Sequence, residues 1–210
     1  MNYQFITIEG NIGVGKTTFS KMLAEELGYR VVLEEFADNP FLPKFYNKPD
    51  RYAFSLELFF MAERYRQMGD LRDQDLFSKG IVSDYFFVKS KLFAENNLSD
   101  DELLLFNRLS EIALKNLPKP DLIIYLHSSV KRLQKNIRKR GRSYEQNISD
   151  NYLFDIQNKY FDFFKKYNEF PVLVVDVSEV DFVNNANVLN QLVDLTNKSY
   201  EKGINRISLL

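Results

Sequence analysis

The chain passes from a predicted strand, residues 5–9, to a predicted helix, residues 17–27, through Gly10-Asn11-Ile12-Gly13-Val14-Gly15-Lys16-Thr17. These eight residues fit the pattern GxxxxGK[ST] in the strand-to-helix context that the pattern requires. Three glycines let the backbone curl so that successive N–H groups face phosphate oxygens, and the helix adds the positive end of its dipole. A glycine-rich turn of this kind does not always bind a ligand, but the full pattern predicts a nucleoside triphosphate site.

Three further residues are assigned to this predicted site. Lys16 supplies a cation for the β- and γ-phosphates, and the Thr17 hydroxyl is a candidate ligand of Mg²⁺. Thr18 follows directly at the start of the helix and is counted among the triphosphate-binding residues.

The rest of the chain continues the alternation of strands and helices. The predicted strands are short and apolar, and they are residues 5–9, 30–34, 80–84, 121–127 and 171–177. Helices with caps or apolar periodicity are predicted over 17–27, 51–68, 99–117, 130–140, 150–167 and 184–202, and a loop or short helix over 39–46. This alternation predicts an α/β fold with a five-stranded parallel sheet and helices on both faces.

Composition restricts the function further. The 210 residues suit a single domain over 1–210, and a net charge of −1 argues against binding a nucleic-acid polymer. The absence of cysteine and the single histidine, His127, argue against thiol chemistry and multi-histidine metal sites. No apolar run is long enough to span a membrane, and no signal peptide is predicted in residues 1–11, so we expect a cytoplasmic protein.

The carboxyl ends of the predicted strands, where open parallel sheets bind their ligands, are marked by Glu9, Glu34, Asp84, His127 and Asp176. One of the pair Glu34-Glu35 can accept a proton from an attacking hydroxyl, although a solvated acidic pair is the alternative. Asp84 can hold Mg²⁺, directly or through water, and its alternative is an N-cap for a helix beginning near Phe86.

A basic run, Arg138-Lys139-Arg140-Gly141-Arg142, follows the fourth strand and its helix. It is either a solvated helix end or a short lid whose arginines close over transferring phosphates. His127 is interpreted as a packed or hydrogen-bonded residue, and the aromatic stripe of 150–167 as core.

A GTP-hydrolysing switch protein is the alternative from a different class. Asn47-Lys48-Pro49-Asp50 matches the NKxD pattern that such proteins use to read guanine. The match lies too early in the chain, outside a strand end, and no glycine has an aspartate three residues before it, so we interpret 47–50 as a turn and helix start.

With these motifs, the chain resembles the deoxynucleoside kinases, in particular the bacterial deoxyguanosine/deoxyadenosine kinase branch, almost from end to end. The residues that carry the resemblance are 10–17, 34–40, 45–57, 84–85, 138–145 and 176–182. The resemblance implies ATP as phosphate donor, Mg²⁺, a nucleoside acceptor and a homodimer that packs on helices such as 101–117.

The resemblance also implies roles for individual residues. Glu34, rather than Glu35, aligns with the general base for the 5′-hydroxyl, and Tyr46 and Glu145 with residues that hold the deoxyribose 3′-hydroxyl. Phe93 lies where the family stacks the base. Further implied are Asp181 and Phe182 beside the adenine of the donor, and a lid whose candidate arginines are Arg138, Arg140 and Arg142.

Two departures from the family pattern bear on the base. The arginine that usually follows the strand-end acid is here Tyr85, which leaves that arginine's task unassigned. The helix position usually held by a base-reading Gln is Glu57. Both departures place the chain nearer the deoxyguanosine kinases than the broad-specificity animal enzymes.

An ionised Glu57 offers two acceptors, which match guanine N1–H and N2–H₂. Arg64, two turns further along the same helix, can keep Glu57 charged and donate to guanine O6 and N7. A protonated Glu57 would admit adenine, so the alternative substrate is deoxyadenosine or a broader range of deoxynucleosides. The alternative without a role in binding is a plain ion pair between Glu57 and Arg64.

Thymidylate kinases need an arginine near the end of the second strand for the acceptor's phosphate. Residues 32–36 contain no arginine, which favours an uncharged nucleoside as the acceptor.

Overall fold

The computed structural model describes residues 3–35, 39–73, 79–115, 117–166 and 168–209. Within these ranges six strands form one sheet in which every pair is parallel, in the order β2-β3-β1-β4-β5-β6. The strands are β1 (Phe5–Gly10), β2 (Arg30–Val32), β3 (Ile81–Ser83), β4 (Leu122–His127), β5 (Pro171–Asp176) and β6 (Gly203–Ile207).

The predicted count of five strands is wrong because β6 extends the sheet beyond β5. The closing helix, predicted over 184–202, is shorter, and a single 3₁₀ turn, Leu195–Asn197, follows it. In β6 the half-buried Ile204 and Ile207 flank Asn205 and Arg206. An edge strand of this mixed character lacks the continuous apolar run that signals a buried parallel strand.

Eight α-helices lie within the described ranges. They are α1 (Lys16–Leu27), α2 (Leu42–Asn47), α3 (Pro49–Asp73), α4 (Lys89–Asn97), α5 (Asp100–Leu114), α6 (Val130–Arg140), α7 (Asp150–Lys166) and α8 (Ala186–Asp194). No helix in these ranges is both long enough and apolar enough to cross a membrane.

The ends of helices α3 and α5 differ from the prediction. Helix α3 continues past Gly69, because one interior glycine costs only about 1 kcal/mol relative to alanine. Helix α5 has the predicted capping box of Ser99 and Glu102 but ends at Leu114 rather than at residue 117. Asn47 ends α2 and Pro49 begins α3, so residues 47–50 form a junction between helices, as predicted.

Alternate residues of β4 supply the two faces of the core. Leu122, Ile124 and Leu126 belong to a cluster with side chains of α1, α6 and α8. Ile123 and Tyr125 belong to a second cluster, with side chains of α7 and α4. The sheet is therefore covered on both faces, as the sequence predicted, and its carboxyl edge is left for a site.

Helix α7 presents the aromatic stripe to the second face. Leu153, Ile156, Tyr160, Phe163 and Phe164 are all buried, which confirms the interpretation of the stripe as core. The sixth position of the stripe, Tyr167, lies outside the described residues. His127 is packed and hydrogen-bonded, as predicted: Gln157 Nε2 lies 2.8 Å from its Nδ1.

Candidate functional site

The glycine-rich loop lies between β1 and α1, as the pattern predicts. Gly10, Gly13 and Gly15 have φ angles of 147°, 82° and 105°, which only glycine adopts readily. A Cβ on Gly13 would come within 3.0 Å of the Leu133 carbonyl oxygen, so the loop packs closely against α6. The Lys16 ammonium group turns back onto this loop and donates to the carbonyl oxygens of Gly10 (2.8 Å) and Asn11 (3.0 Å).

Asp84 joins the ends of three strands. One carboxylate oxygen accepts a hydrogen bond from the Thr17 hydroxyl at 2.5 Å, and the other accepts from the Glu34 backbone N–H at 2.7 Å. Helix α4 begins only at Lys89 with Val88 as its N-cap, so Asp84 is not the cap of the next helix. The structure therefore brings the two predicted metal-ligating residues, Thr17 and Asp84, into direct contact.

Glu34 is the less exposed residue of the acidic pair Glu34-Glu35. Arg64 donates to its Oε1 from Nε (2.8 Å) and Nη2 (2.5 Å), and Lys89 donates to Oε2 at 2.6 Å. Burial alone would raise the pKa of this carboxyl, but Lys89 and Arg64 hold it well below its usual range. Glu35 is exposed and pairs with Arg66 at 2.7 Å, so only Glu34 faces the site.

Arg64 makes its hydrogen bonds to Glu34 and, at 2.7 Å, to the Ser90 hydroxyl. The alternative of a plain Glu57–Arg64 ion pair is therefore wrong, although the positive charge of Arg64 does lower the pKa of Glu57. Tyr85, which stands where the family has arginine, is buried and donates to the Gln67 side chain at 2.8 Å.

Lys89 is a site residue that the sequence analysis missed. It lies five residues beyond Asp84, at the first position of α4, which begins three residues later than the helix start considered near Phe86. Helix α4 has no pronounced apolar face, and its lysine follows a strand end at no motif-defined spacing. A lysine soon after a strand end was the available signal.

Glu57 is fully buried in the wall of the same cavity as Glu34. Asn97, a second missed residue, donates to its Oε1 at 2.8 Å, while Oε2 is buried without a hydrogen-bond partner among the described residues. Burial raises the pKa of Glu57 to about 7, against the lowering effects of Asn97, Arg64 and Lys89. The carboxyl group therefore changes its charge near neutral pH.

The remaining predicted acceptor residues line this cavity as well. Tyr46 comes from α2, Phe93 from α4 and Glu145 from the 3₁₀ turn Ser143–Glu145. Glu145 is buried and forms ion pairs with Arg140 and with Arg142, the latter at 3.1 Å. Both arginines therefore stand over the cavity, at the mouth opposite the sheet.

Arg138 is not brought to the cavity. It is exposed on another face of α6, beside Gln134 and Gln146. The arginines of the basic run therefore lie in two places. Arg140 and Arg142 line the cavity, whereas Arg138 does not.

A second cleft lies on the other side of the glycine-rich loop and contains the predicted Asp181 and Phe182 together with Thr18. The Phe182 ring covers the loop so closely that a Cβ on Gly15 would lie 3.0 Å from it. Asp181 accepts hydrogen bonds from the backbone N–H groups of residues 183 and 184. The cleft also contains three residues that the sequence analysis missed: Arg132, Asn136 and Lys139.

Glu9, the last residue before the glycine-rich loop, lies at the predicted strand end, although no role was predicted for it. It is buried and accepts hydrogen bonds from the Tyr160 hydroxyl (2.7 Å) and the Phe86 N–H (2.6 Å). Burial raises its pKa, whereas the positive charges of Lys89 and Lys16 lower it. Three carboxylates, those of Glu9, Glu34 and Asp84, thus stand close to the ammonium groups of Lys16 and Lys89.

Comparison with known proteins agrees with this geometry. The family model described as deoxynucleoside kinase matches residues 6–201. The chain is 39% identical to deoxyguanosine kinase of Bacillus subtilis, over 86% of this chain and 90% of that protein. It is 33% identical to deoxyadenosine kinase of Lactobacillus acidophilus, over 90% of this chain and 93% of that protein. Among solved structures, deoxyadenosine kinase from M. mycoides with bound dATP superposes with a TM-score of 0.79 at 26% identity, covering 92% of this chain and 99% of that one.

Proposed function

Because the chain belongs to the deoxynucleoside kinase family, we propose that it transfers the γ-phosphate of ATP to the 5′-hydroxyl of a purine deoxynucleoside, with deoxyguanosine preferred. The observation that carries the proposal is the single cavity that holds Glu34, Glu57 and the glycine-rich loop. Its product is the 5′-monophosphate, and the reaction belongs to nucleotide salvage.

The donor is proposed to bind across the glycine-rich loop, with its triphosphate on residues 10–18 and its base in the second cleft. Lys16 exchanges the carbonyl oxygens of Gly10 and Asn11 for phosphate oxygens. Asp181 and Phe182 border the donor base, since Phe182 closes the cleft beside the loop. Arg132 and Lys139 supply positive charge at the cleft's rim.

The Thr17 hydroxyl and the Asp84 carboxylate suit Mg²⁺, because both are hard oxygen ligands and lie in contact at 2.5 Å. When bound there, the ion neutralises charge on the phosphates. Thr17 would hold it directly, and Asp84 would hold it directly or through water.

In the acceptor cavity, Glu34 is proposed as the general base. It takes the proton of the 5′-hydroxyl as the oxygen–phosphorus bond forms and the nucleoside diphosphate leaves with the electrons of the broken bond. Tyr46 and Glu145 are assigned to the 3′-hydroxyl, and Phe93 to stacking of the base. A nucleotide acceptor is disfavoured because its 5′-phosphate would meet the Glu34 carboxylate.

The first test compares the two neighbouring carboxylates. Glu34→Gln should lower kcat by about 10²–10⁴-fold, since the amide cannot accept the proton, while KM for deoxyguanosine changes little. The matched control is Glu35→Gln, whose side chain is exposed, and it should retain normal kcat. A coupled assay with ATP and deoxyguanosine measures both variants. The assignment fails if Glu35→Gln is the inactive variant.

The preference for guanine is proposed from the free oxygen of Glu57. Asn97 occupies Oε1 and leaves Oε2 bare in the cavity wall, where guanine N1–H and N2–H₂ can supply the missing donors. Below its pKa the carboxyl gains a proton and can donate to adenine N1. Deoxyadenosine therefore remains the second candidate, because the pKa lies near neutrality.

This proposal predicts a pH-dependent choice of base. The ratio of kcat/KM for deoxyguanosine to that for deoxyadenosine should rise as the pH increases through about 7, because ionised Glu57 matches only guanine. In Glu57→Gln the ratio should fall, by up to about 10⁴-fold, and should no longer depend on pH in this range. Steady-state kinetics between pH 6 and 8.5 measure both effects. An unchanged ratio in the variant removes Glu57 as the residue that reads the base.

The lid is proposed to act through Arg140 and Arg142, which hold Glu145 over the cavity. Their charges lie on the side of the site where phosphates bind, and they complement charge that develops during transfer. Arg138 serves as a matched control because it belongs to the same basic run but does not line the cavity.

We expect Arg140→Ala to lower kcat by at least about tenfold, as loss of a phosphate-stabilising cation does. Arg138→Ala should leave kcat within a factor of two of the unmodified protein. Equal losses in both variants would mean that the positive charge of the run acts at long range, without contact to the phosphates.

The proposed homodimer is supported by a row of large apolar side chains that α5 exposes. They are Leu104, Leu105, Leu109 and Ile112. Sedimentation equilibrium should give twice the 24.8 kDa mass of the chain. Ile112→Glu should shift the equilibrium toward monomer, whereas Val31→Glu, at an exposed position in β2, should not. A monomeric unmodified protein at micromolar concentration contradicts the proposal.

A further inference from the structure

The two carboxylate oxygens of Glu34 are held by different kinds of cation. Oε1 accepts two hydrogen bonds from Arg64, whereas Oε2 accepts one, from the Lys89 ammonium group at 2.6 Å. Both cations are buried. A carboxylate held in this way is well oriented, and each of its oxygens already accepts a hydrogen bond from a cation.

This arrangement conflicts with the role of a general base. Hydrogen bonds from two buried cations stabilise the ionised carboxylate and oppose its protonation. Departure of one of the two cations therefore makes Glu34 a stronger acceptor for the proton of the 5′-hydroxyl.

Lys89 is the cation that can move. The Arg64 guanidinium is held from three sides: by Glu34, by the Ser90 hydroxyl at 2.7 Å and by the Phe60 ring, whose centroid is 4.9 Å away. Lys89 makes one charged hydrogen bond at the end of a flexible four-carbon chain, with its ammonium 5.7 Å from the centroid of the Phe93 ring.

The cavity also offers Lys89 a destination. Lys16 and Thr17 line the same cavity as Lys89. The side chains of Lys16 and Lys89 are both cationic and line one cavity, so their like charges repel each other. An anion between them removes that repulsion, and the transferring phosphoryl group is the anion that the proposed reaction brings there.

We propose that Lys89 is a further catalytic residue, whose ammonium group leaves Oε2 of Glu34 for the γ-phosphoryl oxygens when both substrates are bound. The proposal rests on the proposed function. The released Oε2 accepts the 5′-hydroxyl proton while the 5′-oxygen bonds to phosphorus and the bond to the leaving diphosphate breaks. Lys89 thereby contacts the developing charge and frees the base.

The first experiment measures Lys89→Met, which retains the length of the side chain without its charge. We expect kcat for deoxyguanosine and ATP to fall by about 10²-fold or more, as for loss of one preorganised charge donor, with a small change in KM. In the free variant the pKa of Glu34 rises, so the acid limb of the pH profile of kcat/KM moves to higher pH. Thermal melting verifies that the variant is folded.

A double-mutant cycle separates contact with the phosphoryl group from mere support of Glu34. In the Glu34→Gln background, Lys89→Met should lower the residual kcat further, because the phosphoryl contact is independent of the base. No further loss in this background would overturn the proposal, since Lys89 would then act only through Glu34.

Two more variants complete the test. Lys89→Arg should recover part of the lost kcat because it restores the charge; a folded arginine variant as inactive as Lys89→Met contradicts a charge role. Lys91→Met, two residues along α4 and facing a different cleft, should behave as the unmodified protein. If Lys89→Met has normal kcat while Glu34→Gln is inactive, this inference fails and the proposed function stands.

Discussion

The Asp84 carboxylate is the contact on which the arrangement of the site depends. Its two oxygens bind the Thr17 hydroxyl, after β1, and the Glu34 N–H, after β2, while Asp84 itself follows β3. Parallel pairing brings these three strand ends to one edge of the sheet, and the hydrogen bonds of Asp84 then set their spacing. The glycine-rich loop proposed for the donor and the carboxylate proposed as the base are thereby both hydrogen-bonded to a single side chain.

Around this contact the site contains nearly equal numbers of buried positive and negative groups. Glu9, Asp84, Arg64 and Lys89 are buried, and Glu34 and Lys16 are half-buried beside them. Charges are costly to bury unless they are paired, and replacing such pairs with apolar side chains is often neutral or stabilising. Their presence here is therefore better explained by chemistry than by the stability of the fold. Glu57, on the same cavity wall but without a cationic partner, has a raised pKa for the same physical reason.

Much of the fold could be predicted because it is encoded locally. The glycine-rich loop, strands β1 to β5 and the buried stripe of α7 follow from short patterns with a definite period. Strand β6 was missed, and the bounds of helix α4 were not predicted, because their stability comes from neighbours in space rather than from an apolar period of their own. The residues of the site also differ in how well they could be predicted. Thr17, Asp84 and Glu34 follow the ends of parallel strands, and the topology of the sheet predicts that such residues lie close together. Lys89 and Asn97 are separated from Glu34 and Glu57 by 55 and 40 residues, and no local pattern relates them.

Helix α3 has a geometric consequence for the acceptor. Glu57 and Arg64 lie seven residues apart on this one rigid element, a separation of about 10 Å along the helix axis. Arg64 holds Glu34 at the reacting end of the proposed acceptor site, while Glu57 lies at the end assigned to the base. In the proposed binding mode, the helix therefore fixes the distance between the edge of the base that Glu57 contacts and the hydroxyl that Glu34 activates. That mode selects an acceptor by its length as well as by its hydrogen bonds, because a molecule one bond longer or shorter would place its hydroxyl out of register with the carboxylate.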